Sequence, residues 1–230
     1  MNSISERLQA IRERIAAAAT RCGRAPSSVE LLAVSKTFPA ESVREAVDAG
    51  QLIFGENKVQ ELLAKAPLLP AKLQWHLIGH LQSNKVRKIL PAVQFIHSIG
   101  SLDLARGVDR IAAELGMHPR VYLEINLASE SSKHGFSIEQ VRATLEDLYS
   151  LRSLEIQGLM CIPPFNSDAA KSRPYFTQLR LLRDDLERLG GLPLPLLSMG
   201  MSHDFEIAIE EGSTVVRVGS AIFGERAGKA

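Results

Sequence analysis

Almost no net charge, two cysteines and no long apolar run mark this 230-residue sequence. Lysine and arginine number 27 against 26 aspartate and glutamate. Phosphate neutralisation needs a basic excess, so a generic nucleic-acid binder is disfavoured. Cys22 and Cys161 cannot build a disulfide framework, and such sparing use suits a reducing cytoplasm. No apolar run approaches the roughly 20 residues that span a bilayer. Met1 to Arg21 mixes Glu6, Arg7, Arg12, Glu13 and Arg14 with apolar positions, so no signal peptide is expected. Charge blocks and low-complexity stretches are missing as well. The histidines show no zinc-ligand spacing such as H-E-x-x-H.

What is present is a repeated alternation. Eight short apolar runs read as strands: 29–34, 52–54, 75–78, 93–99, 121–125, 154–160, 194–198 and 214–218. Helical patterns come before and between them, at 5–19, 40–49, 59–66, about 84–90, 102–115, 138–151, about 169–189 and about 204–210, and a short tail follows the last. Strands separated by helices pair in parallel through right-handed crossovers. Eight such units predict an α/β fold, a single (β/α)8 TIM barrel; an open doubly wound sheet is the alternative, but no G-x-G-x-x-G follows the first strand. No linker divides the chain. Residues 1–230 are expected to form one domain with an N-terminal helix over about 5–21, leaving no length for a lid domain.

Barrel sites lie at the C-terminal ends of the strands. Lys36 ends the first strand with the parity of Leu32 and Val34, so it should point with them. In an apolar mouth it would lose hydration, its pKa would fall, and the amine could form a Schiff base; the plainer reading is a lysine snorkelling to the surface. After strand eight, Gly219-Ser220 can open a short helix toward an anion, and after strand seven Met199-Gly200-Met201-Ser202 offers Ser202 as an N-cap. Phosphate sites in barrels commonly use these two loops. Closure would set strand eight beside strand one, so a phosphate there could present an aldehyde to Lys36. That describes pyridoxal 5′-phosphate. Arg217 lies inside the last apolar strand and needs an acceptor, either a structural partner or the pyridine nitrogen. Arginine keeps its charge and would leave that ring neutral, a poor electron sink. His76 reads as a core residue, His80 as a rim residue, and Cys161 as a buried small residue.

Leu31-Leu32-Ala33-Val34-Ser35-Lys36-Thr37, Phe54-Gly55-Glu56-Asn57-Lys58-Val59-Gln60-Glu61, Trp75-His76-Leu77-Ile78-Gly79-His80-Leu81-Gln82-Ser83-Asn84-Lys85, Leu197-Ser198-Met199-Gly200-Met201-Ser202 and Val216-Arg217-Val218-Gly219-Ser220-Ala221-Ile222-Phe223-Gly224 together resemble the pyridoxal phosphate homeostasis protein family (YggS/PROSC). The resemblance implies a barrel like the N-terminal domain of alanine racemase and a covalent pyridoxal 5′-phosphate aldimine on Lys36. It implies phosphate contacts from Ser202, Gly219 and Ser220, a pyridine-side contact from Arg217, a ring wall at Asn57 and packing near the cofactor by Met199. Ser220 stands where threonine is frequent, and His80 where some members have proline.

The function expected is a cytoplasmic, monomeric carrier or regulator of vitamin B6 and of amino-acid and keto-acid balance. It would have no catalytic activity, with transfer to apo-enzymes as a partner reading. The competing function is a pyridoxal-phosphate amino-acid racemase. That needs an acid/base on each face of the substrate carbon, and Tyr122, Tyr149 and Tyr175 stand at no clear rim position. A cofactor-free Schiff-base aldolase is a third reading. Lys85 and Lys133 are secondary lysines for weak cofactor binding.

Overall fold

Every apolar run found in the sequence forms a strand in the computed structural model, which describes residues 3–128 and 134–225. The strands are β1 (Glu30–Val34), β2 (Ile53–Glu56), β3 (Gln74–Leu77), β4 (Phe95–Ile99), β5 (Arg120–Ile125), β6 (Glu155–Cys161), β7 (Leu196–Ser198) and β8 (Val215–Val218). Neighbours in sequence are neighbours in space, all parallel, and the barrel is closed. Closure pairs β8 with β1, setting Leu32 beside Arg217 and Ala33 beside Val218.

The helices are α1 (Ile4–Arg21), α2 (Ala40–Asp48), α3 (Val59–Lys65), α4 (Val86–Ile89), α5 (Leu102–Leu115), α6 (Ile138–Ala143), α7 (Leu145–Tyr149), α8 (Arg173–Gly190), α9 (Phe205–Glu210) and α10 (Ser220–Phe223). Ser3 and Glu6 form a capping box at the start of α1, satisfying backbone donors that the first turn leaves open. Leu8, Ile11, Ile15 and Ala18 then recur at helical spacing and are buried. Each of the larger three contributes about 1.5–3 kcal/mol by leaving water. Among the described residues only the four-residue α10 follows β8, and α1 takes up the outer layer there, packing on α9, α10 and α2.

Three helices differ from the sequence pattern. The helix expected over 138–151 breaks at Thr144, whose hydroxyl donates to the Gln140 carbonyl four residues back. The one expected over 84–90 is α4 between two 3-10 turns, the second carrying Pro91, which cannot donate within a helix. The long helix expected from 169 opens as a 3-10 turn, Ala169–Ser172, before α8.

Alternation along each strand divides the core. Phe54, Leu77, Ile96, Val121, Leu159 and Val216 face outward into the apolar layer beneath the helices. Leu32, Val34, Ile78, Tyr122, Met160 and Val215 form a separate cluster within the barrel. The inner layer is unusually polar at one level, where His76, His97, Ser198 and Arg217 are all buried. Among the described residues no helix is long and apolar enough to cross a membrane.

Candidate ligand-binding site

Extending the inward parity of each strand past its C-terminal end builds the site. Val34 is followed by Lys36 on β1, Tyr122 by Glu124 on β5, and Val215 by Arg217 and Gly219 on β8. Lys36, Asn57, Glu124, Ser202, Arg217, Gly219 and Ser220 line one rim cavity of about 440 Å³. Val34, Ile78 and Phe38 supply its apolar wall. Six of the seven residues expected at the site are therefore brought together. Met199 is not. Ser198 faces inward, so Met199 faces outward, fully buried among the helices, and Met201 lines the cavity instead.

Lys36 is half-buried at the end of β1. The chain reverses just beyond it at Thr37, whose φ of 69° is a left-handed value that a β-branched residue adopts at a cost of about 1–3 kcal/mol. The Thr37 N–H donates to Glu61 Oε1 at 2.5 Å, which holds the reversal. Behind it, Lys65 Nζ donates to the Ser35 carbonyl (2.9 Å), Glu56 Oε1 (2.6 Å) and Glu61 Oε1 (3.0 Å). Ser35 Oγ donates to the same Glu56 oxygen at 2.7 Å. This network binds the ends of β1 and β2 to α3. Burial pushes the Glu56 carboxyl up, against its hydrogen bonds from Lys65 and Ser35. Gly79 is equally constrained: a Cβ there would lie 2.3 Å from the Asn57 carbonyl oxygen, so only glycine lets the β3 end close against Asn57.

Ser202 does not cap a helix as its sequence position suggested. Gly200 turns the chain at φ 93°, Asp204 Oδ1 accepts from the Met201 N–H at 2.7 Å, and α9 starts only at Phe205. The Ser202 hydroxyl is left to reach the β8 end, where the Gly219 and Ala221 N–H groups converge on its oxygen at 3.2 and 3.4 Å. Backbone donors gathered on one oxygen beside Ser220 have the geometry that receives a phosphate oxygen.

Arg217 is 4% exposed. Its Nη1 donates to the Ser198 carbonyl and to Ser198 Oγ, each at 2.7 Å, and its Nη2 to the Cys161 carbonyl at 2.8 Å. Its acceptors are thus neutral oxygens. Burial pushes its pKa down, while Cys161, Asp204 and Glu124 pull it up. Cys161 is 1% exposed, its thiol pushed up to about 12 by burial, an inert core residue as expected.

Glu124 is the residue that the sequence reading passed over, although the parity rule that found Lys36 also finds it. It is half-buried, its carboxyl pushed up by burial and drawn down by His134 and Arg217. His80 and His134 stack near it with ring centroids 3.8 Å apart. None of Tyr122, Tyr149 and Tyr175 lines the cavity, nor does Lys85. Lys133 lies outside the described residues. No group of three or more metal-ligating side chains occurs among the described residues.

His76, a core residue as expected, is 1% exposed, and burial pushes its pKa to about 3. Below the ordinary histidine value of about 6.5 the unfolded chain takes up a proton that the folded chain refuses, so stability falls with falling pH down to about 3. His97 is lowered by burial too and adds in the same direction. Lowering the pH from 7 to 5 should cost about 2 kcal/mol through His76 alone. Urea titrations at both pH values should show this difference shrinking in His76→Phe; an unchanged difference would refute it.

The donor set suits a flat aldehyde carrying a phosphate: an amine, a phosphate-sized cluster of N–H and hydroxyl groups, a fixed guanidinium and apolar walls. The chain matches the family model of the alanine racemase N-terminal domain over residues 7–227. It is 44% identical over 222 residues to the pyridoxal phosphate homeostasis protein of Aquifex aeolicus, covering 96% of this chain and 97% of that one. It superposes with a TM-score of 0.86 on PipY of Synechococcus elongatus PCC7942 solved with PLP bound, at 42% identity, covering 96% of this chain and 100% of that one. Alanine racemase of Clostridium difficile 630 shares the barrel at a TM-score of 0.73 and 16% identity, covering 96% of this chain and 57% of that one.

Proposed function

The chain belongs to the pyridoxal phosphate homeostasis protein family, and from that premise we propose that it binds pyridoxal 5′-phosphate in the rim cavity as a carrier or regulator rather than an enzyme. The observation that carries this reading is the β8–β1 seam. It brings Lys36, Arg217, Gly219 and Ser220 into one cavity with Ser202.

Each residue has a role by its chemistry. The Lys36 amine attacks the aldehyde; a C=N bond forms, water leaves, and the cofactor is held as a Schiff base. Gly219 and Ala221 N–H groups with the Ser202 and Ser220 hydroxyls hold the phosphate. Arg217 faces the pyridine nitrogen and leaves the ring unprotonated, which weakens carbanion chemistry. Asn57 and Val34 flank the ring, and Met199 backs the wall without touching it. Residues 1–230 act as one domain, a cytoplasmic monomer that influences amino-acid and keto-acid balance and passes the cofactor to apo-enzymes.

Titration of the protein with pyridoxal phosphate should produce a visible absorption band saturating near one equivalent. Borohydride reduction should then fix the label to the Lys36 peptide. A label found only on Lys85 or Lys133 would overturn the site.

One observation favours the racemase reading. Glu124 stands on β5, four strands around the ring from β1, and supplies the second acid/base that the tyrosines do not. Loaded protein incubated with an L-amino acid in deuterated water is expected to show no sustained α-proton exchange. Continued turnover would defeat the carrier reading.

A further inference from the structure

A line of buried polar groups runs beneath the cavity floor from Arg217. Arg217 Nη1 lies 2.7 Å from Ser198 Oγ, Ser198 Oγ 2.9 Å from His97 Nδ1, and His97 Nε2 3.0 Å from His76 Nδ1. All four residues are at most 4% exposed. Tyr122 lies against His97 with centroids 4.2 Å apart, and Phe95 against His76 at 4.9 Å, so the line is walled by rings.

Proton counting fixes its direction. A guanidinium only donates. Ser198 Oγ therefore accepts from Arg217, and its own proton points to His97 Nδ1. That nitrogen must accept, so His97 carries its proton on Nε2 and donates to His76 Nδ1. His76 then carries its proton on Nε2, which is buried and has no hydrogen-bond partner. A buried unpaired donor is costly, and at the far end of the chain it is the residue of an order imposed from Arg217. In the reversed order Ser198 Oγ would accept from both Arg217 and His97, and its own proton would have no acceptor among the hydrogen bonds of the described residues.

We propose that Ser198, His97 and His76 are positioning residues, a one-way hydrogen-bonded chain that fixes the Arg217 guanidinium beneath the cavity. The proposal deepens the binding reading above, because it is Arg217 that meets the pyridine ring there. The backbone carbonyls of Ser198 and Cys161 fix one edge of the guanidinium; the chain holds the Ser198 hydroxyl in the accepting orientation that completes the anchorage.

The test begins with ligand-free protein labelled with 15N. Both imidazoles should be neutral Nε2–H tautomers at neutral pH, and the Arg217 guanidinium protons should exchange slowly with water. In His97→Phe that exchange should rise about tenfold, the scale of a lost hydrogen bond to a charged group. In His97→Gln, whose amide oxygen can accept from Ser198 and whose nitrogen can donate to His76, exchange should return to within about threefold of the original. Pyridoxal phosphate affinity should follow the same order. A ring protonated on Nδ1, or unaltered Arg217 exchange in folded His97→Phe, overturns the proposal. Ser198→Ala gives the same reading should His97→Phe fail to fold. If the unaltered protein binds no pyridoxal phosphate, the functional reading fails, while the exchange measurement still decides the chain.

Discussion

Lys36→Ala should abolish covalent capture of pyridoxal phosphate: no visible band, no borohydride-stable label. Lys36 is the lysine that lines the cavity. Lys65, whose ammonium donates to the Ser35 carbonyl beside Lys36, is 7% exposed and spends its three protons on Ser35, Glu56 and Glu61. Lys85 sits in a 3-10 turn away from the cavity lining. No second described amine is thus within the site to replace the first. The proposed phosphate contacts and Arg217 are untouched, so weak reversible binding should persist, visible by calorimetry but colourless. Lys36 is half-buried at a strand end, so stability should change by about 1 kcal/mol or less. A folded Lys36→Ala protein with the full band would place the Schiff base elsewhere.

The second large effect is on stability. Lys65→Met should destabilise the protein by about 3–5 kcal/mol at pH 7, the usual cost of removing one partner from a buried ion pair. Glu56 is 0% exposed; of its two oxygens, Oε1 takes both the Lys65 and Ser35 donors, and Oε2 has no hydrogen-bond partner. Without Lys65 the buried carboxylate would keep the Ser35 hydroxyl but lose its counter-charge. The sign of the pH effect follows. Burial already raises the Glu56 pKa, and removing a cation raises it further, so the folded variant holds a proton that the unfolded chain has released. The deficit should therefore grow as pH rises above the ordinary glutamate value and shrink as pH falls toward it. Chemical denaturation at pH 5 and 7 checks this. Glu56→Gln added to Lys65→Met should recover part of the loss, because no charge is then buried alone. The same variant should slow or weaken capture at Lys36, since Lys65 and Glu61 hold Ser35 and Thr37 on either side of it. A deficit below about 1 kcal/mol at pH 7 would mean the pair is a passive neighbour.

The two results bear on how much could be read from residues alone. Strands show through because short apolar runs stand between glycines, prolines and caps, and Lys36, Arg217 and Ser202 show through because chemistry at a strand end is local. β2 runs on through Gly55 and Glu56, which sequence reads as a stop. It continues because a lysine nine residues later pairs with that glutamate. Met199 misleads because a six-residue motif does not reveal which of its alternating positions faces inward. The Ser198–His97 contact joins residues 101 apart, and no periodicity announces it. Glu124 lay within reach of the parity argument and was hidden by its apolar neighbours Leu123 and Ile125.

The seam between β8 and β1, with α1 laid over its outer side, also has a meaning in time. Lys36 leaves the ribosome early, whereas Arg217, Gly219 and Ser220 are among the last described residues to emerge. On the binding reading, a chain that has made β1 but not β8 carries the amine and would have no grip for a phosphate until β8 docks. On the same reading, an aldehyde met during translation would not be retained by half a barrel, and loading would wait for closure.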